Sequence, residues 1–514
     1  MFATTKSAQL IGLSADIIGI ETDIGKGLHS FSIVGLADKA VEEAKDRINA
    51  AIKNSGFKAP ARGNKKIIIS LAPADIKKTG THFDVAIALS YLLANGDIKF
   101  ETDHKLFLGE LALDGSIRPI RGTLFLARKA KEAGFTEIFV PKENTKEAAL
   151  IDGLTVYGAA TLRELIDHLD TKNKTDDGKE TKSKLIPARK TVIKEKIVEP
   201  EIDMADVKGQ AGAKRGLVIA AAGGHNVAMF GPPGTGKTML ARAFAGILPP
   251  LTFPEILEAT GIHSAAGIAR GLVVTPPYRA PHHTGSYVAL VGGGASPRPG
   301  EITLAHTGVL FLDEFPEFDK RVLEALRQPL EDRRVTVARA KHTIDFPARF
   351  ILIAAMNPCP CGFRGTKTRN CVCAPRDIAR YERKLSGPIV DRIDVWLQVA
   401  EVKHTDLSAE STEEKSITIK EKITKARAIQ SARFAAEKIS LNAEMSAKQL
   451  TQFVKLSKEL TDLLNTSATR LMLSARAYHR VIKLARTIAD LDNSADIKEP
   501  HLLEALQYRP KIQN

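Results

Sequence analysis

NVAMFGPPGTGKTMLARAFAGIL, residues Asn226–Leu248, reads as an apolar strand, a glycine-rich turn and a helix. Its centre, Gly231-Pro232-Pro233-Gly234-Thr235-Gly236-Lys237-Thr238, is a full G-x-x-x-x-G-K-[ST] phosphate loop in the strand-to-helix setting the motif requires. The residue types follow from the chemistry. Gly231, Gly234 and Gly236 let backbone N–H groups close around phosphate oxygens without a Cβ in the way. The following helix turns its positive end toward the anion. Lys237 supplies a point charge for the β- and γ-phosphates, and the Thr238 hydroxyl a ligand for Mg²⁺. ATP and Mg²⁺ are therefore the expected cofactors.

TGVLFLDEFPEF (Thr307–Phe318) supplies the second half of the site. Val309–Leu312 is an apolar run suited to a buried parallel strand. Asp313 at its end can hold the Mg²⁺ shell, and Glu314 can polarise an attacking water as general base. An Asp-Glu pair alone is weak, since a solvated strand end looks the same. It gains weight about 75 residues after a complete phosphate loop. RFILIAAMNP (Arg349–Pro358) reads as another buried strand, and Asn357 at its end can orient the hydrolytic water.

The rest of the chain fits around this unit. It has 514 residues, 44% apolar and 26% charged, enough for about three globular domains. Residues 1–168 alternate strand-like runs (Phe31–Leu36, Lys65–Pro73, Thr136–Pro141) with helical ones (Lys39–Gly56, Phe83–Gly96), the pattern of an α/β domain. Residues 171–200 hold nine basic and five acidic residues and read as a solvated linker. Residues 201–400 form a second α/β unit, with every strong motif. Residues 401–514 are helical, most clearly over Ser474–Leu491. No stretch approaches the ~18 apolar residues of a membrane helix. Without a secretory pattern at the N-terminus, the expectation is a soluble cytoplasmic protein.

The net charge of +14 favours a polyanionic partner over mere solubilising charge in a chain with an ATP site. All four cysteines, Cys359, Cys361, Cys371 and Cys373, fall in one loop, NPCPCGFRGTKTRNCVCAP. Four thiolates so close can close a tetrahedral Zn²⁺ site, although C-x-C is tighter than the usual spacing. Four reduced thiols are the alternative. Phe363, Arg364, Lys367 and Arg369 of that loop could meet a phosphate backbone.

The phosphate loop, the LDE strand, the MNP strand end, SGPIVDRID (Ser386–Asp394) and LSARAYHRVIKLARTIADL (Leu473–Leu491) resemble, in this order, AAA+ ATPases of the magnesium-chelatase/MCM branch. The lead-in Asp206–Thr238, the segment Ala280–Phe318 and the cysteine loop make the chain similar to the ComM/YifB Mg-chelatase-like family over essentially its whole length. The resemblance implies an AAA+ core with a parallel sheet, a helical C-terminal lid and a homo-hexameric ring. It makes Arg392 an arginine finger reaching a neighbour's ATP and Arg476 the sensor arginine of the lid helix. A surface or salt-bridging role is the alternative for each. It implies a DNA helicase driving branch migration during recombination in natural transformation, with single-stranded, duplex or branched DNA and recombination proteins as partners.

Leu330–Phe350 reads as a hairpin carrying Arg333, Arg334, Arg339, Lys341 and His342. In related motors such a hairpin touches DNA; a solvated basic hairpin is the competitor. Arg298 lies in a second candidate pore insertion. His282 and His283 read as a packed turn without chemistry. Residues 1–168 resemble a degenerate Lon-protease-type domain: Thr81 and His82 stand near the nucleophile position, and Leu124 and Leu126 in the region of the lysine. A Ser–Lys dyad needs a hydroxyl beside an amine, so no peptidase activity is expected. A chelatase-type remodelling subunit and an ATP-dependent protease are the other readings.

Overall fold

The computed structural model describes residues 1–514 except 62–63, 172–183, 194–199, 269–270, 295–297, 339–342, 367–368, 386, 403–412 and 511–514. Much of the expected linker lies outside the described residues, as do Arg339, Lys341, His342 and Lys367. The chain forms two compact units. One comprises Met1–Glu195 with Ile256–Val273, the other Lys196–Glu255 with Val274–Asn514.

In the first unit β1 (Phe2–Ile11) and β2 (Ser14–Lys26) pair antiparallel. β3 (Ser30–Val34) runs parallel to β4 (Lys65–Ala72), which pairs antiparallel with β2, so the sheet order is β1-β2-β4-β3. The helix expected over Lys39–Gly56 is interrupted at Glu43, leaving a short turn of helix and then α1 (Ala44–Asn54). α2 (Asp84–Ala94) is buried on nearly every side, as its almost uninterrupted apolar sequence dictates. β5 (Lys105–Phe107), α3 (Thr123–Glu132), β6 (Glu137–Pro141) and β7 (Thr155–Ala159) follow, and the three strands form a parallel sheet.

In the second unit α4 (Ala211–Gly223) leads to β8 (Val227–Phe230) and α5 (Lys237–Ile247). The further strands are β9 (Tyr278–Arg279), β10 (Val309–Leu312), the hairpin β11 (Arg334–Ala338) and β12 (Thr343–Pro347), β13 (Ile351–Met356) and β14 (Val395–Gln398). The sheet is parallel throughout, in the order β9-β10-β13-β8-β14. Every residue of VLFL and ILIAAM is buried, because central parallel strands are covered on both faces. Val227, Met229, Phe244, Phe311 and Ile353 share one core.

Helices α6 (Ser416–Arg433), α7 (Lys458–Arg470), α8 (Ala475–Leu491) and α9 (Glu499–Gln507) complete this unit. Ser474 caps α8 by accepting the Ala477 N–H. One face of α8, with Ala477, Val481, Leu484 and Ile488, is buried at helical spacing. Its end is fixed by Asp490, 2% exposed, which accepts from Asn442 Nδ2 at 2.7 Å and pairs with both Arg433 and Arg486. Removing one side of such a buried pair strands the other charge. Asp490→Ala is therefore expected to lower unfolding free energy by about 3–5 kcal/mol, read from the urea midpoint. An unchanged midpoint would mean that the two arginines find other partners.

Candidate active site

β8, β10 and β13 are parallel neighbours, so their C-terminal ends open on one edge of the sheet, where ligands of such sheets bind. The phosphate loop leaves β8, Asp313 and Glu314 leave β10, and Asn357 leaves β13. Gly231 is dictated by space: a Cβ there would lie 2.1 Å from the Val399 carbonyl oxygen. Gly234 (φ +76°) and Gly236 (φ +88°) adopt left-handed backbone, with nothing within 4 Å of where a Cβ would stand. That open concavity, ahead of the first turn of α5, suits phosphate oxygens. Thr235 Oγ1 ties the loop by donating to Pro232 O at 2.9 Å.

Lys237 is 8% exposed. Its ammonium donates to Gly231 O and Pro232 O at 2.7 Å each and to Asn357 Oδ1 at 3.2 Å. Burial lowers its pKa, and the nearby Asp313 carboxylate opposes that. Thr238 Oγ1 donates to Asp313 Oδ2 at 2.9 Å. Two adjacent ligands of an octahedral ion with ~2.1 Å bonds stand about 3 Å apart, so this hydroxyl–carboxylate pair already has the separation for Mg²⁺. Asp313 uses its other oxygen to accept the Glu314 N–H at 2.9 Å, which fixes the carboxylate's orientation.

Glu314 has left-handed backbone, φ +51°, uncommon for a non-glycine residue. Its side chain is exposed, with Oε2 lying 3.2 Å from His283 Nδ1. Sequence reasoning gave His283 no chemistry, yet it faces the candidate base. The His-His pair carries no motif that signals this.

Arg392 and Arg476 come together on one carboxylate. Arg392, 3% exposed, is ion-paired with Glu331, and Arg476 reaches the same Oε1 at 3.3 Å. The hydrogen bond from Arg392 holds the Glu331 carboxyl below its usual range. Glu331 carries no sequence signal. Next to Arg392, Asp394 accepts the Asn226 N–H at 3.0 Å, just before β8, and pairs with Arg480 of α8. Burial alone would raise the Asp394 carboxyl; Arg480 and His225 outweigh it and hold it well below the carboxylate range. Arg480 and Asp394 thus tie α8 to the strand that carries the phosphate loop.

The DNA-contact candidates are placed differently from one another. Arg298 is exposed, in a two-residue antiparallel bridge with Gly293. Arg334 is exposed on the β11–β12 hairpin, 3.6 Å from Asp345. Arg333 is half-buried and paired with Glu444 at 2.9 Å. The four cysteine Sγ atoms lie within 4.8 Å of one another, and none is in a disulfide. In the first unit Thr81 Oγ1 donates to Glu110, and Leu124 and Leu126 are buried. His82 is half-buried, and desolvation of its ring pushes its pKa down to about 4.

Three family models match: "Magnesium chelatase, subunit ChlI" over residues 203–407, "Subunit ChlI of Mg-chelatase" over 20–144, and "Magnesium chelatase, subunit ChlI C-terminal" over 413–509. Competence protein ComM of Haemophilus influenzae is 40% identical, covering 99% of this chain and 98% of its own. YifB of Escherichia coli is 42% identical over 97% of this chain and 95% of its own. More distantly, the DNA replication licensing factor MCM7 of Arabidopsis thaliana is 25% identical over 37% of this chain and 24% of its own. No helix among the described residues is long and apolar enough to cross a membrane. With a parallel-sheet nucleotide-type core and full-length identity of this order, the chain belongs to the ComM/YifB family of magnesium-chelatase-like AAA+ ATPases.

Proposed function

We propose that this chain is an ATP-hydrolysing DNA motor, working as a homo-hexameric helicase that drives branch migration during homologous recombination in natural transformation. The observation that carries the motor reading is the joining of Lys237, Thr238, Asp313 and Asn357 by hydrogen bonds at three adjacent strand ends. The loop amides of residues 231–238 and Lys237 bind the β- and γ-phosphates. Lys237 gives up its carbonyl partners to do so. Thr238 and Asp313 would hold Mg²⁺, which when bound would neutralise charge on the phosphates. Glu314 takes a proton from the attacking water, and Asn357 orients that water. Arg392 from a neighbouring subunit and Arg476 of α8 stabilise charge on the transferring phosphoryl group.

The DNA assignment draws support from the net charge of +14, from exposed Arg298 and Arg334, from the similarity to a competence protein, and from the distant similarity to a DNA replication factor. Residues 1–168 are read as the degenerate Lon-type domain, serving assembly or partner binding. ATP turnover should rise with single-stranded, duplex or forked DNA and fall steeply with added salt, because phosphate contacts release counterions. The assay compares the wild-type chain with a Lys237→Ala blank at several salt concentrations. Turnover indifferent to all three DNAs would end the motor reading.

A chelatase-type remodelling role is the second reading, favoured by the family models named for a magnesium chelatase subunit. Co-purification with a porphyrin-binding protein, together with DNA-independent turnover, would decide for it.

A further inference from the structure

The cysteine loop leaves β13 two residues beyond Asn357. Its first sulfur, on Cys359, is fully buried, and the other three cysteines are half-buried. Sγ of Cys359 lies 3.4 Å from that of Cys361 and 3.6 Å from that of Cys371, and Cys361 and Cys371 are 3.6 Å apart. A disulfide needs about 2.05 Å. Four thiolates at ~2.3 Å around one tetrahedral ion stand about 3.8 Å apart, close to what is seen. The Cys361 N–H donates to Cys373 Sγ at 3.3 Å. Such an amide donor stabilises sulfur that carries negative charge. Four soft ligands with no open position suit a structural Zn²⁺ and not Mg²⁺ or Ca²⁺.

The turn these cysteines enclose lies against the nucleotide site. Gly362 has φ +84°, and a Cβ on it would stand 2.7 Å from Pro233 Cδ and 3.8 Å from Asn357 Cγ. Its N–H donates to Cys359 O at 2.9 Å, the closing bond of a tight turn. We propose that Cys359, Cys361, Cys371 and Cys373 hold one resident Zn²⁺, and that the clamped turn braces the phosphate loop at Pro233 and the strand end at Asn357. The bracing part rests on the reading of residues 231–238 as the ATP site; the metal part does not.

The full-length chain, purified without added metal, is analysed for zinc and iron and by native mass measurement. About one zinc per chain is expected, and the same in Lys237→Ala, so failure of the ATP reading would leave the metal result intact. Cobalt introduced in place of zinc should give the intense visible bands of a tetrahedral tetrathiolate. A metal-free chain with four freely titrating thiols and no cobalt bands, or a chain holding iron, overturns the zinc assignment. The bracing is tested with Gly362→Ala, which keeps all four sulfurs. Full zinc with weakened binding of a fluorescent ATP analogue is expected. Unchanged nucleotide affinity in both Gly362→Ala and a folded Cys371→Ser/Cys373→Ser chain that has lost its zinc overturns the bracing.

Discussion

Glu314→Gln is expected to bind ATP with nearly wild-type affinity and to lose about 10²–10⁴-fold in turnover, the usual worth of a general base. The substitution keeps the size and shape of the side chain but removes the proton acceptor. The groups that would hold the nucleotide are elsewhere: Lys237 on its loop carbonyls and Asn357, and the Thr238–Asp313 pair at 2.9 Å. Asp313 keeps its bond to the residue-314 N–H, which is backbone and survives the change. The backbone carbonyl of residue 314 also accepts the Glu317 N–H at 2.7 Å, a bond that the change leaves in place. Equilibrium binding of a fluorescent ATP analogue and single-turnover hydrolysis separate the two effects. Wild-type turnover would mean that another group takes the proton, and His283, 3.2 Å from Glu314, would be the first to replace. Loss of binding would mean that the carboxylate acts on the metal or the fold instead.

What could be read beforehand was what the chain encodes locally. The phosphate loop declares itself because its glycines, lysine and threonine must be contiguous for the loop to close on an anion. The apolar runs before Asp313 and Asn357 declare buried parallel strands for the same reason of local chemistry. The strand ends of β8, β10 and β13 then had to share one edge. Contacts between distant segments left no such trace. Glu331 joins Arg392 to Arg476, and neither its own neighbours nor its spacing from them marks it. His283 meets Glu314 only because the chain after β9 returns beside the end of β10. Arg333 shows its charge in the sequence, but not its partner Glu444, which lies over a hundred residues further on in the helical part of the unit. The interruption at Glu43 also escaped, since Lys39–Gly56 holds a helical period on both sides of it.

Arg392→Ala is expected to leave nucleotide binding nearly intact and to reduce hydrolysis by about 10³–10⁵-fold, the range for an arginine finger. In this chain Arg392 is 3% exposed and engaged with Glu331 and the Pro388 carbonyl, and its Nε has no partner among the described residues. Acting on a neighbour's ATP requires it to leave Glu331, the carboxylate it shares with Arg476. A purely structural ion pair is the competing account, and it predicts a loss of stability without any inter-subunit effect. Mixing separates the two. Arg392→Ala chains retain Glu314, and Glu314→Gln chains retain Arg392. In a ring mixed at random from equal amounts of the two variants, about a quarter of the interfaces join an intact Glu314 to an intact Arg392, since each interface is heterologous. Turnover should therefore reappear on mixing two variants that are each inactive. The measurement is ATPase rate against mixing ratio, with thermal melts to verify folding and native mass to verify co-assembly. Co-assembled, folded mixtures that remain inactive at every ratio would place Arg392 in its own subunit's structure and not in its neighbour's active site.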